Sequence, residues 1–306
     1  MKRWYWVVMT TAAMACAARG GAHVTDAPSG SPSPPPPLPP PPVASARPVA
    51  PHPTSLLVRY GPSATRYLVR RRLHIEQSFG GPPQVQDLGA AIFVHATITG
   101  PADASGYPAT FTVDSVVPDS GTPPPVAENV ARARALVFSG RLGAQGEFQS
   151  AAASDTAVAH ALAQLVGNFR DFLPRIPADG VRLGAVWSDT LSVTQRAGGS
   201  EITRRSVAQS SAAAWEMRSG ARALHLDVSA TYSVAGSGEN GGQAFQMAGA
   251  GALTAQEFLA EDGRYVGGES RDSAALTISL PAQALSIPVT QILYSTVTLL
   301  PAPTGR

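Results

Sequence analysis

Lysine and cysteine are almost absent from this chain, and each absence removes whole classes of chemistry. Lys2 is the one lysine, and it sits in a segment that reads as a cleaved leader. A phosphate-loop lysine, Schiff-base catalysis and a Ser-x-x-Lys nucleophile are therefore excluded from the mature protein. Cys16 is the one cysteine, so disulfides, thiol catalysis and cysteine-held zinc or iron-sulfur sites are excluded as well. Charge is also sparse, at 14% of residues with a formal net charge of +2, which calls for neither nucleic acid nor a strongly acidic partner. The six histidines show no His-Glu-x-x-His or related ligand spacing, and no serine lies in Gly-x-Ser-x-Gly. The composition implies no cofactor, no metal and no enzyme.

Proline is what the chain has instead. It makes up half of residues 28–53, with runs at Pro34–Pro37 and Pro39–Pro42, so this stretch can neither donate a ladder of hydrogen bonds nor bury a core. It reads as a stiff linker, reaching about 80 Å if fully extended as polyproline helix. Before it, Lys2 and Arg3 precede an uncharged run from Trp4 to Ala15, too short to span a bilayer as a helix. The expected organisation is a signal peptide over 1–15, an anchored proline-rich linker over 16–53 and a single β-rich domain over 54–306.

In the region after the linker, Asp155 to Val193 organises the rest. Val158, Leu162, Leu165, Phe169, Phe172 and Leu173 recur at steps of three and four, which predicts one amphipathic helix capped by Ser154 or Asp155 and stopped by Pro174. The period then switches to two, with Val181, Leu183, Ala185, Trp187, Leu191 and Val193 on one face of a strand. Alternation also marks Arg66–Phe79, a strand around Ile92–Ile98, and one carrying Phe111, Val113 and Val117. A small hairpin closes at Gly143–Gly146, and further strands run over Ile202–Arg218, Leu224–Val234, Phe245–Leu259, Tyr265–Leu280 and Leu285–Leu300. In Ile202–Arg218 the apolar parity reads as Val207, Trp215 and Met217. A short helix is expected near Val126–Ala135. Strands this long twist and curl. The predicted fold is mainly β (α+β), a large curved antiparallel sheet or half-barrel with the amphipathic helix on its concave face.

Two stretches resemble known families. Ala13-Met14-Ala15-Cys16 resembles the lipobox of bacterial lipoproteins, with Ala13 where leucine is usual. That resemblance implies lipid on Cys16 and, since Ala17 replaces the aspartate of inner-membrane retention, an outer-membrane lipoprotein facing periplasm or cell surface. A second reading takes Ala13-x-Ala15 as an ordinary cleavage site that releases a soluble protein, leaving Cys16 as an exposed free thiol in an oxidising compartment. Leu173-Pro174 followed by Val181-x-x-Gly184-x-x-Trp187 resembles a segment of uncharacterised exported bacterial lipoproteins, which lends no catalytic residue. A looser architectural likeness is to periplasmic lipid-carrier half-barrels.

Three residues stand out as candidate ligand contacts. Arg71 falls on the apolar parity of Val69 and Leu73, and Asp189 between Trp187 and Leu191; an inward charge needs a partner, which suggests a cavity where Arg71 meets an anionic head group. His95 is the third. Gly236-Ser237-Gly238-Glu239-Asn240-Gly241 matches the dinucleotide pattern but lacks the following helix, so it reads as a hairpin tip. The expected function is a membrane-tethered, non-enzymatic module binding an apolar or amphipathic ligand, a lipid for example, or an envelope protein partner. The alternatives are a purely structural or interaction module, favoured if Leu162, Phe169 and Phe172 plug the sheet, and, less favoured, an enzyme, which would need a convergent set of acids in a cleft, or a transmembrane β-barrel.

Overall fold

The computed structural model describes residues 56–122, 124–161, 169–197, 199–240 and 242–301. The signal-like segment 1–15, Cys16, the linker 16–53, and Leu162 and Leu165 lie outside these residues. In chain order the elements are β1 (Ser63–Gln77), β2 (Gln84–Ile98), β3 (Tyr107–Pro118), α1 (Pro124–Ala131), β4 (Val137–Leu142), β5 (Phe148–Ala153) and α2 (Thr156–Ala161). The second half is strands alone apart from a single 3-10 turn: β6 (Val186–Ala197), β7 (Ser200–Arg218), β8 (Ala221–Asn240), β9 (Gln243–Ala260), β10 (Tyr265–Leu280) and β11 (Leu285–Leu300).

All eleven strands form one antiparallel sheet in the order β5-β4-β3-β2-β1-β11-β10-β9-β8-β7-β6. Two meanders thus meet along a seam where β1 pairs with β11, from Arg66 opposite Leu300 to Gln77 opposite Val289. The sheet is not closed: β5 and β6 are its edges. Its curvature follows from aromatic contacts. Phe111 on β3 and Tyr265 on β10 are four strand spacings apart, roughly 19 Å on a flat sheet. Both rings nevertheless touch Phe172, with centroids 5.5 and 5.8 Å away. The wall therefore bends around its apolar face, as the expected half-barrel requires.

Polarity is segregated by the pleat. Tyr67, Val69, Leu73 and Ile75 of β1, Leu224, Leu226, Tyr232 and Val234 of β8, and Ile287 and Val289 of β11 are buried on the concave side. Ser229, Thr231, Thr254, Gln256, Thr290 and Thr296 face outward and are exposed. An outer face of hydroxyls, amides and charges is the reverse of the apolar band that a transmembrane barrel presents to lipid.

Four expectations need correction. The helix expected over Asp155–Leu173 is seen as α2, capped as expected by Asp155, whose Oδ1 accepts from the Val158 amide at 2.9 Å. Phe169 to Leu173 are turns, with Phe169 at φ 57, so its rings enter the core from a loop. The strand expected from Val181 begins at Val186: Gly184 at φ 80 breaks it, Leu183 is exposed, and Val181 instead bridges Val58. On β3, Asp114 is an extra residue between the Val94–Val113 and Phe93–Ser115 pairs, which flips the following parity and leaves Val117 exposed. On β7 the inward parity is Ile202, Arg204, Ser206 and Ala212, while Val207 points out and Met217 is exposed at the strand end. A bulge between Ala212 and Ala214 then returns Trp215 to the core side. Gly236–Asn240 form the end of β8, which pairs on from Asn240 to Gln243 of β9 with Gly242 in the turn; Gly241 lies outside the described residues.

Candidate ligand groove

The segment Phe169–Ile176 lies over the concave wall and is fixed at both ends. Phe169 stacks on Phe111 with centroids 5.0 Å apart, and Phe172 meets Tyr67 and Tyr265 edge-on. The Tyr60 hydroxyl donates to the Pro174 carbonyl, and the Ile176 amide donates to the Gln145 carbonyl at 3.1 Å. Arg175, held by Gln145 Oε1 at 3.0 Å, reaches down to Asp189 with Nε 2.7 Å from Oδ2.

Strand register places the inward polar groups. One row across β1, β11, β10, β9, β8 and β7 reads Arg71, Ser295, Ser270, Ala255, Val228 and Ser210. The adjacent row contains Asp272, Leu253, Ala230, Ala208 and, on β6, Asp189. Two small cavities lie on these rows beneath the loop. One, about 120 Å³, is lined by Trp187, Asp189, Leu191 and Arg175; the other, about 140 Å³, by Arg71, Arg204, Asp272 and Phe172. Asp171, Leu253, Glu257 and Ser270 line both, so the two are arms of one groove.

Arg71 and Asp189 therefore come to the same groove, in different arms. Burial lowers the Arg71 guanidinium pKa from its ordinary value. His95 is not part of it: it is exposed on the outer face of β2, with Nε2 3.5 Å from Thr97 Oγ1.

At the deep end of the second arm stands a network that parity reasoning on β7 missed. Arg204 Nη2 is 3.2 Å from Asp272 Oδ2, and both side chains are below one-tenth exposed. The Tyr232 hydroxyl donates to the other Asp272 oxygen, and the Arg204 guanidinium lies 3.5 Å above the Tyr232 ring centroid. Gly251 makes room for that ring, since a Cβ there would come 2.2 Å from Tyr232 Cζ. A signal did exist in the sequence: Asp272 has the parity of Ala274, Leu276 and Ile278.

Three buried tyrosines pack in the core beyond the groove, two of them within reach of the Glu257 charge. Desolvation raises Tyr67 to about 12, and it raises Tyr60 and Tyr265 well above the usual phenol value, with the Glu257 charge adding to both of the latter. Tyr67 donates to the Tyr265 carbonyl at 3.0 Å. Among the described residues no group of three or more His, Cys, Asp or Glu could hold a metal ion, and no helix is long and apolar enough to cross a membrane.

No protein-family model and no curated protein matches the chain. Solved structures with a distant likeness include Pseudomonas aeruginosa OccK2 (OpdF), at 10% identity and a TM-score of 0.23 over 78% of this chain and 98% of that one. P. aeruginosa OpdK with vanillate gives 11% and 0.24 over 78% and 99%, and Pseudomonas putida OprB 9% and 0.24 over 78% and 94%. At such TM-scores the overall shapes differ, and the likeness assigns no function.

Proposed function

We propose that this is an exported, non-enzymatic envelope protein, tethered to the outer membrane by lipid on Cys16 and set off from it by residues 16–53. In this reading its concave groove takes the apolar end of an amphipathic ligand. The observation that carries it is the unfilled arm where half-buried Trp187, Leu191 and Leu253 stand beside Arg175, Asp189 and Glu257. Apolar wall and charged rim together suit a molecule with one greasy and one polar end. The small volume admits a chain terminus or one side chain of a partner.

The test has two arms on the full-length protein. Purified from membranes and solvent-extracted, it should show acyl chains on Cys16 by mass spectrometry; an unmodified Cys16 would remove the tether. A fluorescent fatty acid should bind, and Ala208→Trp, which fills the groove from β7, should weaken it about tenfold, equivalent to roughly 1.4 kcal/mol. Equal binding by both proteins would remove the groove. The packing of Phe169 and Phe172 against Phe111 favours a second reading, an interaction module whose concave face is filled by its own chain. Failure of wild type to bind the probe at all would select that one.

A further inference from the structure

The outer face carries a second concavity, independent of the groove beneath the loop. Antiparallel register aligns Arg72, Tyr294, Arg271, Thr254, Ser229 and Gln209 in one outward row across β1, β11, β10, β9, β8 and β7. The next row begins Arg70, Thr296, Glu269, Gln256 and Asp227. Tyr294 is 48% exposed and stands directly between two arginines on its neighbouring strands. Arg271 lies 5.8 Å from its ring centroid, with Nε 3.4 Å from the hydroxyl.

These rows form the floor of a long hollow. A cavity of about 1020 Å³ spans β2, β1 and β11, and one of about 720 Å³ spans β11 to β7; Tyr294 and Thr296 line both. At 4.8 Å per strand the combined path from β2 to β7 is roughly 29 Å long. One wall is the loop Asp119–Thr122, pinned over β2 by the Asp119 amide and the Thr122 hydroxyl, both donating to the Gly89 carbonyl at 2.8 and 3.0 Å. Gly89 leaves room for that loop, since a Cβ there would lie 2.1 Å from Asp119 Oδ2 and push the carboxylate aside. The loop leaves Arg72 largely in solvent, its Nε 3.6 Å from Asp119.

We propose that this groove binds an extended acidic polysaccharide. Tyr294 offers a flat apolar surface for the face of a sugar ring, as aromatic side chains with a polar tip do at wet interfaces. Arg72 and Arg271 on either side supply charge-assisted donors for carboxylates. Further along, Thr254, Ser229, Gln209 and Gln256 both donate and accept, matching a chain of hydroxyls, and Asp227 and Glu269 accept from them.

The test uses the full-length protein with polygalacturonate as probe and dextran as the neutral control, read by calorimetry. Wild type should bind polygalacturonate more tightly than dextran. Tyr294→Ala should weaken both by about tenfold or more, and Tyr294→Phe should stay near wild type. Arg72→Gln with Arg271→Gln should abolish the preference for the acidic polymer. Tyr294, Arg72 and Arg271 are all on the surface, and circular dichroism checks each fold. No binding to polygalacturonate, or wild-type affinity in both Tyr294→Ala and the double arginine variant, overturns the proposal. Ala208→Trp should leave polygalacturonate binding unchanged, so this reading and the fatty-acid reading fail separately.

Discussion

The Arg204–Asp272–Tyr232 cluster shows how much a single inward charge depends on its neighbours. A buried ion pair does not by itself make a protein more stable than apolar packing would, because two charges must leave water. Breaking it is different, since one charge then stays buried without its counter-ion. Asp272→Asn should therefore lower unfolding free energy by about 3–5 kcal/mol, while Arg204→Met with Asp272→Leu should cost much less than the sum of the single changes. Urea unfolding of the two single variants and the pair gives that cycle; strict additivity would show that the pair is not a unit. Asp272 was legible as an inward residue from its parity in β10. Arg204 was not, because Trp215 and Met217 shared the parity of Val207 in the sequence, and only the bulge at Ala212–Ala214 puts that parity on the other side of Arg204.

At the scale of elements, the loop aromatics outweigh the helix before them. Asp155 caps α2 through one hydrogen bond, and losing such a cap costs about 1 kcal/mol. Phe172 packs against Tyr67, Phe111, Phe169 and Tyr265, and truncating a buried phenylalanine costs about 3–5 kcal/mol. Asp155→Ala should thus be mild and Phe172→Ala severe, as measured by denaturant midpoint; comparable losses would contradict the placement of the ring as the plug. Which side chains are buried was readable here, since Val158, Phe169, Phe172 and Leu173 all lie in the core. Their common helix was not, because Phe169 takes a left-handed backbone that no periodicity announces. The same holds for Asp114 and the break at Ala212: a bulge adds one residue without altering composition, yet reverses every face after it. Strand positions in β8 and β11, and in β10 beyond its bulge at Val266, were legible because the alternation there runs unbroken.

For the whole molecule, Tyr60, Tyr67 and Tyr265 tie the segment before β1, the β1–β11 seam and the loop before β6 into one body. Their phenols ionise at higher pH in the folded than in the unfolded state, where the value is near 10. The folded form then holds more protons, so their contribution is complete below about pH 10 and declines as pH rises toward about 12, the Tyr67 value. Urea midpoints should fall across that window while absorbance at the phenolate band rises mainly with unfolding. A midpoint flat from pH 10 to 12 would mean that these rings are wet. The curved sheet was legible from strand length and alternation, but the outer hollow was not, since it arises from how rows on seven strands line up.

The seam between β1 and β11 also dictates timing. Arg66 finds its partner at Leu300, so the earliest strand stays incomplete until the last one has emerged. Local hairpins on either side can zip at once, whereas the step that unites them requires a loop spanning nearly the entire β region to close. A chain wired this way completes its bowl last of all, when its two ends meet along one ladder.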